Sequence, residues 1–450
     1  MAIKAELDTK ELLNVAELAK NYIDSKIEKT DHGIRYSLEG SANSDPYFDE
    51  ICLYSGSAGI VHYLLQLYKT TGKQQYLEQA EKSYPYIEYR WREKPDLSLA
   101  FSPWAFTSGF AGVAYAVSEL YTTTHNKKYK KFVEEVVAEI IKNAKPADDG
   151  IGAYWSGSFG IVADSGTLLF LLYVADLFER HDWQEFTVNA GRILIGQKKK
   201  YSEGGYYFEG SQFNEQIVPG FPIGAGGVAF TLWKLYDVSR DEVFKQATEG
   251  IDDFYRTIYR YDDKGFVKIP HDIPNENPVY YLGYCGGNAG VARYFYKLYQ
   301  ETGEAKHLNE VELLLDSIVA AGAPEIHSEG YWNTVAQCCG SSSILNTFLG
   351  FYLATNKKKF LNYAKRTAEQ IIGDAHYELE GGDKLAKWYE AYTRLEPQNI
   401  SAPIGFYDGA AGAGSALLQL YSVLTEHPQV PRSVDDPFPT EKKQEVKEND

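Results

Sequence analysis

Tyr284-Cys285-Gly286-Gly287-Asn288-Ala289-Gly290 runs straight into the apolar stretch Val291 to Tyr299. A Gly-x-x-Gly turn followed by an apolar helix recurs along the chain. It stands at Gly56–Gly59 before Ile60 to Tyr68, at Gly109–Gly112 before Val113 to Tyr121, and at Gly157–Gly160. It returns at Gly224–Gly227 before Val228 to Tyr236 and at Gly409–Gly412 before Ala413 to Tyr421. The sixth copy begins at Gly340 and carries Ser343 where the second glycine belongs. Seven copies make this a repeat architecture, in which one unit cannot bury its apolar face alone.

The text between the turns is regular too. The apolar helix often ends in a Leu-Tyr pair, and a polar turn such as Lys69-Thr70-Thr71-Gly72 follows. A second helix then shows apolar residues every three or four positions, as in Phe360 to Ile372, the pattern of a one-sided helix. The first helix of each unit is apolar nearly all round and is expected to be buried. Seven such pairs stack as an open solenoid or close into a ring. Closure gathers the glycine turns at one end, where they form a shared site.

The chain has 450 residues, 44% of them apolar and 14% aromatic, enough for a large core. The net charge of −17 excludes a nucleic-acid backbone and an anionic membrane surface as partners. Met1 to Leu7 has no apolar signal region, and no stretch approaches the ~18 uncharged residues of a membrane span. The chain reads as cytoplasmic. Three parts are expected: a lead-in over 1–50, the repeats over 51–427, and a Pro-rich, charged, disordered tail over 428–450.

Three of the four cysteines lie in two of the turns, Cys285 in the fifth and Cys338 and Cys339 in the sixth. Clustered cysteines in a reducing compartment point to metal or catalysis rather than disulfides. Each turn precedes a helix N-terminus, where N–H groups and the helix dipole favour thiolate. Three ligands would leave a fourth zinc position open, as in catalytic sites. Cys52 has no partner cysteine in its turn and is read as core.

Seven turn-and-helix units, an aromatic-Cys-x-Gly-x-x-Gly turn and a later Cys-Cys-Gly resemble the lanthionine synthetase C-like family. The resemblance spans Cys52 to His427. It implies an all-α fold, an α/α toroid of seven inner and seven outer helices, with Zn2+ at the end where the turns gather. The implied ligands are Cys285, Cys338 and Cys339. The last stands where the family commonly has His, giving a three-cysteine form. The implied reaction is addition of a peptide cysteine thiol to dehydroalanine or dehydrobutyrine in lanthipeptide maturation. Implied partners are a dehydrated precursor peptide or a small thiol such as glutathione, together with a dehydratase and an exporter.

The chain departs from the family where protons are moved. Matching places Ile223 at the family's His, Ala153 at its Asp, Tyr280 to Gly283 at a basic position, and Gly286 at a Tyr. The replacement groups in reach of the turns are His62, Asp164, Arg293 and Asp408, of which Asp408 and Asp164 are the catalytic candidates. His271 and His327, in the loops before the cysteine turns, are candidates for a fourth, closing ligand. Aromatic pairs before the turns, Tyr154-Trp155, Tyr206-Tyr207-Phe208, Tyr280-Tyr281 and Tyr331-Trp332, are read first as packing and second as walls of a peptide cleft. Two other readings stand beside the cyclase. One is a non-catalytic ring that binds a modified peptide or thiol, or scaffolds a synthetase complex. The other is an α/α-barrel enzyme acting on a glycan, which ranks last because the turns lack paired carboxylates.

Overall fold

Each glycine turn starts a helix whose first N–H groups are met by carbonyls of its own loop. Ser57 N donates to Glu50 O at 2.8 Å, Phe110 N to Pro103 O at 2.8 Å and Ala289 N to Leu282 O at 3.0 Å. No side chain caps these helices, so the loop must fold back over the helix start. Glycine permits that approach. A Cβ on Gly290 would collide with the Tyr284 carbonyl, and one on Gly412 with that of Phe406.

The computed structural model describes residues 7–38, 50–93, 102–208, 216–274, 279–427 and 430–442. The first helix is α1 (Thr9–Asp24). Pairs follow: α2 (Ser57–Thr71) with α3 (Gln74–Glu93), α4 (Phe110–Thr124) with α5 (Lys127–Lys142), and α6 (Asp164–Leu177) with α7 (His181–Gly191). Then α8 (Ala225–Ser239) is followed by the short α9 (Glu242–Ala247) and α10 (Ile251–Ile258). The last are α11 (Asn288–Thr302) with α12 (Ala305–Ala320), α13 (Ser341–Thr355) with α14 (Lys358–Gly373), and α15 (Ala410–Thr425). Only short two-stranded hairpins interrupt them among the described residues.

Helices α2, α4, α6, α8, α11, α13 and α15 pack in that order, and α15 returns to α2. This is a closed ring. Their residues are almost all buried, as for Ser341 to Leu353 of α13, which explains why these segments are apolar on every side. The second helices pack outside their partners and bury one stripe each, as Phe360, Ala364, Thr367, Ala368, Ile371 and Ile372 do on α14.

The two ends of the chain take different parts in the ring. The helical period over Glu11 to Ile27 of the lead-in is matched by α1, which packs along α15 and supplies the outer helix that α15 would otherwise lack. Of the segment expected to be a loose tail, residues 430–442 are described, and they are packed. Val430, Asp435 and Phe438 are buried. Residues 431–436 lie among side chains of α2, α11, α13 and α15, and so sit in the middle of the ring. Lys443 to Asp450, and with them part of the charged run, lie outside the described residues.

The third turn is also corrected. Helix α6 starts after Ala163, and its close-packed glycine is Gly166, whose Cβ would collide with the Ile161 carbonyl. The true third copy is therefore Ala163-Asp164-Ser165-Gly166. The Gly157–Gly160 copy belongs to the preceding loop, where Gly157 takes φ +82°. The equivalence drawn at Ala153 depended on that register and lapses with it.

Candidate metal and thiol site

Closure brings the turns edge to edge, and backbone hydrogen bonds join them into a belt. Tyr54 N donates to Thr107 O at 2.8 Å, Tyr407 N to Tyr54 O at 2.9 Å, Cys338 N to Tyr407 O at 2.9 Å and Cys285 N to Cys338 O at 2.9 Å. Val162 N donates to Pro222 O at 3.0 Å. Ser343, in the place of the missing glycine, adds a tie of its own. Its hydroxyl accepts from Tyr284 N at 3.2 Å and donates to Gly340 O at 2.8 Å. The fifth and sixth turns are thus fastened to each other twice, directly under the cysteines.

In four of the seven turns the residue just before the helix cap faces the space above the belt. Val162, Ile223, Cys339 and Asp408 hold this position in the third, fourth, sixth and seventh turns, and all four line one cavity of about 290 Å³. Cys285, Cys338 and Tyr54, one residue earlier in their turns, also line it. The three Sγ atoms lie within 4.8 Å of one another, with Cys338 and Cys339 at 3.4 Å. A tetrahedral zinc with Zn–S bonds of about 2.3 Å spaces its sulfurs about 3.8 Å apart, so the donor set fits that ion in type and spacing. Thiol hydrogen bonds from Cys285 and Cys339 pull the Cys338 thiol well down, while the contact with Cys338 and burial hold the Cys285 thiol well up, and contacts with both other thiols hold the Cys339 thiol well up. A divalent ion is what would let all three ionise.

Aromatic and acidic groups complete the walls. Tyr281 and Trp332 line the cavity with ring centroids 5.1 Å apart. Their neighbours Tyr280 and Tyr331 turn into the core, and Tyr154-Trp155 and Tyr206 to Phe208 are not among the lining residues. His271 lines the cavity, its ring against Tyr281 at 4.7 Å, and burial pulls it below the ordinary histidine range. It is outside the sulfur cluster. His327 packs on Tyr331 and does not line the cavity. The lining contains no lysine or arginine among the described residues.

Of the two acid–base candidates, only Asp408 reaches the cavity. Ser55 Oγ donates to its Oδ2 at 2.6 Å, across the first and seventh turns. Asp164 does not line it. Its carboxylate accepts from Trp155 N and Ser156 N, both at 3.0 Å, from Gly157 N at 3.2 Å and from Ser156 Oγ at 2.8 Å, and so holds the loop before α6. His62 and Arg293 lie deeper in the ring. His62 bonds Glu119 at 2.5 Å, and Arg293 pairs with Asp435 at 3.0 Å and Asp436 at 3.5 Å.

A further lining residue was not singled out from the sequence. Glu390 sits in the long link 374–409 between α14 and α15, in a short strand pair with Ile400–Ser401. It is 3% exposed. Its Oε2 accepts from Thr334 Oγ1 at 2.7 Å, Val335 N at 2.8 Å and Ala336 N at 3.2 Å, so it grips the loop that leads to Cys338. Burial, with Asp408 adding repulsion, pushes its carboxyl up to about 8. The only sequence signal was an acid inside the apolar, aromatic run Trp388-Tyr389-Glu390-Ala391-Tyr392.

A profile of lanthionine synthetase C-like proteins matches residues 47–431. Among solved structures, a nisin cyclase superposes with a TM-score of 0.62 at 17% identity, covering 93% of this chain and 95% of that one. An α-1,6-mannanase from Salegentibacter sp. HEL1_6 gives 0.45 at 14% identity, covering 92% and 99% of the two chains. An unsaturated glucuronyl hydrolase specific for heparin gives 0.47 at 11%, covering 93% and 99%. No curated protein sequence matches the chain.

Proposed function

Given that the chain belongs to the lanthionine synthetase C-like family, we propose that it is a zinc-dependent thioether-forming cyclase acting on a dehydrated, cysteine-containing peptide. The observation that carries this reading is the set of three thiols, within 4.8 Å of one another, in a cavity whose walls include aromatic rings and two carboxyl groups. Cys285, Cys338 and Cys339 would hold the ion, which when bound holds a substrate thiol as thiolate at neutral pH. Tyr281 and Trp332 offer flat apolar faces for the peptide and keep water from the alkene. The belt under the cysteines fixes where the substrate sulfur sits, which is most of what an addition between two bound groups requires.

Incubating the purified protein with zinc and such a peptide tests this. Loss of free thiol at unchanged peptide mass, absent in Cys285→Ala, is the expected result. Unchanged thiol counts beside a working control cyclase would overturn it.

Ile223 favours a second reading. It lines the cavity at the place matched to the family's His, which makes that arc apolar. A ring that binds a modified peptide or glutathione without turnover would show saturable binding and no thioether.

A further inference from the structure

Resting on the cyclase reading above, we propose that Glu390 is the catalytic acid of this site, delivering a proton from Oε1 to the substrate's α-carbon. The two oxygens of its carboxyl have different surroundings. Oε2 is saturated by one hydroxyl and two backbone N–H donors, all from residues 334–336. Oε1 is buried and has no hydrogen-bond partner among the described residues. A buried polar atom with no partner costs ~1–3 kcal/mol, and a side chain fixed by its other oxygen cannot rotate away to relieve it. Glu390 also lines the cavity that holds the three sulfurs, so the missing partner is best supplied by what enters there.

The charge pattern says which form Glu390 takes. The charged and titratable groups that line the cavity with it are Asp408 on the seventh turn, Cys285, Cys338 and Cys339 on the fifth and sixth, Tyr54, Tyr281 and Tyr392, and His271, with Arg394 in electrostatic reach of His271 and Tyr281. None of the lining residues is a lysine or arginine. Two carboxyls sharing one desolvated space do not both ionise readily near neutrality. The retained proton is assigned to Glu390, whose Oε1 is buried and meets no donor among the described residues. Burial and the Asp408 charge holding Glu390 up near 8 agree with this.

The step balances. The substrate thiol loses its proton on capture, sulfur bonds the β-carbon, and the alkene π pair passes to the α-carbon and its carbonyl as an enolate. Oε1–H gives its proton to the α-carbon, and the Glu390 carboxylate takes back one proton, equal to the one the thiol released. The net change is addition of S–H across C=C. Asp408 acts through Glu390 as a positioning residue, since it keeps the proton on its neighbour.

Glu390→Gln tests the proposal. An amide oxygen can still accept from Thr334, Val335 and Ala336, so the loop stays in place while the exchangeable acid is lost. The variant should stay folded with the parent's zinc content, and kcat should fall by about 10²–10⁴-fold with KM little changed. Parent activity should fall as pH rises through about 8, and the residual activity of the variant should lack that limb. Infrared difference spectra of the metal-free protein supply a readout that needs no substrate: a protonated-carboxyl C=O band at neutral pH, absent from Glu390→Gln. Turnover by the variant at the parent's rate would overturn the proposal. So would the absence of the band. If the parent itself forms no thioether, the cyclase reading fails, and the infrared arm still decides whether Glu390 holds a proton.

Discussion

The ring buries acidic groups at two levels, and it treats them in opposite ways. In the middle, Asp435 and Asp436 meet Arg293, and Asp436 also meets Arg432 at 2.9 Å. Tyr284 adds its hydroxyl to Asp435 at 2.5 Å. At the rim, Glu390 and Asp408 share a cavity with three thiols and no basic side chain other than His271. The paired level is finished structure, because every charge has an opposite within reach. The rim level is where a cation and a substrate would be received, which is the usual mark of a working site.

That contrast can be broken or sharpened by experiment. The largest effect is expected for the double variant Cys338→Ala with Cys339→Ala, which should lose the bound metal altogether, from about one zinc per chain by elemental analysis. Its fold should survive, and a far-UV spectrum of an unfolded chain would show that the rim is structural after all. Next, Asp435→Ala should destabilise the protein by ~1–3 kcal/mol in denaturant titration, because it orphans the Tyr284 hydroxyl and leaves Arg293 only its longer contact to Asp436. Metal content measured on the remaining folded protein should be unchanged. Asp164→Ala should lower stability by ~1–3 kcal/mol through the loop N–H groups it orphans, and leave zinc binding intact.

A last test separates the levels by pH. Burial alone would raise Asp436, but Arg432 and Arg293 hold it below the ordinary aspartate range. Its contribution to stability is therefore present above the unfolded-state value and is lost as pH falls through the folded one. Glu390 has the opposite sign. Its folded value is raised from 4.5 to about 8, so its contribution is full below 4.5 and declines as pH rises toward 8. Melting curves of the metal-free protein from pH 5 to about 8 should slope downward more in the parent than in Glu390→Gln. Equal slopes would remove the distinction.

Much of this was legible in the sequence, for physical reasons that can be named. The inner helices announce themselves because burial on all sides needs apolar residues on all sides, as in Ile344 to Leu353. The three cysteines announce themselves because sulfur at a repeated turn position is conspicuous. What was hidden depended on contacts distant in sequence. Asp164 looked like a candidate acid because it opens a helix, yet its partners are the backbone N–H groups of its own loop. Glu390 looked like one acid in a link, and only folding places that link against residues 334–336. The 430–442 segment has the composition of a tail, and its burial rests on arginines that lie one on α11 and one within the segment itself.

The packing of α1 along α15 has a consequence for how the protein is made. The helix that emerges early from the ribosome has its partner in one that emerges near the end. Until then the barrel is an open arc with two raw apolar edges, a state exposed to aggregation. The cysteine turns are already in place on that arc, but Cys338 N takes its carbonyl from Tyr407, just ahead of α15. The metal site therefore matures only when the arc shuts. Zinc capture should lag behind synthesis of the cysteines themselves, and a chain stalled before Tyr407 should hold the ion weakly.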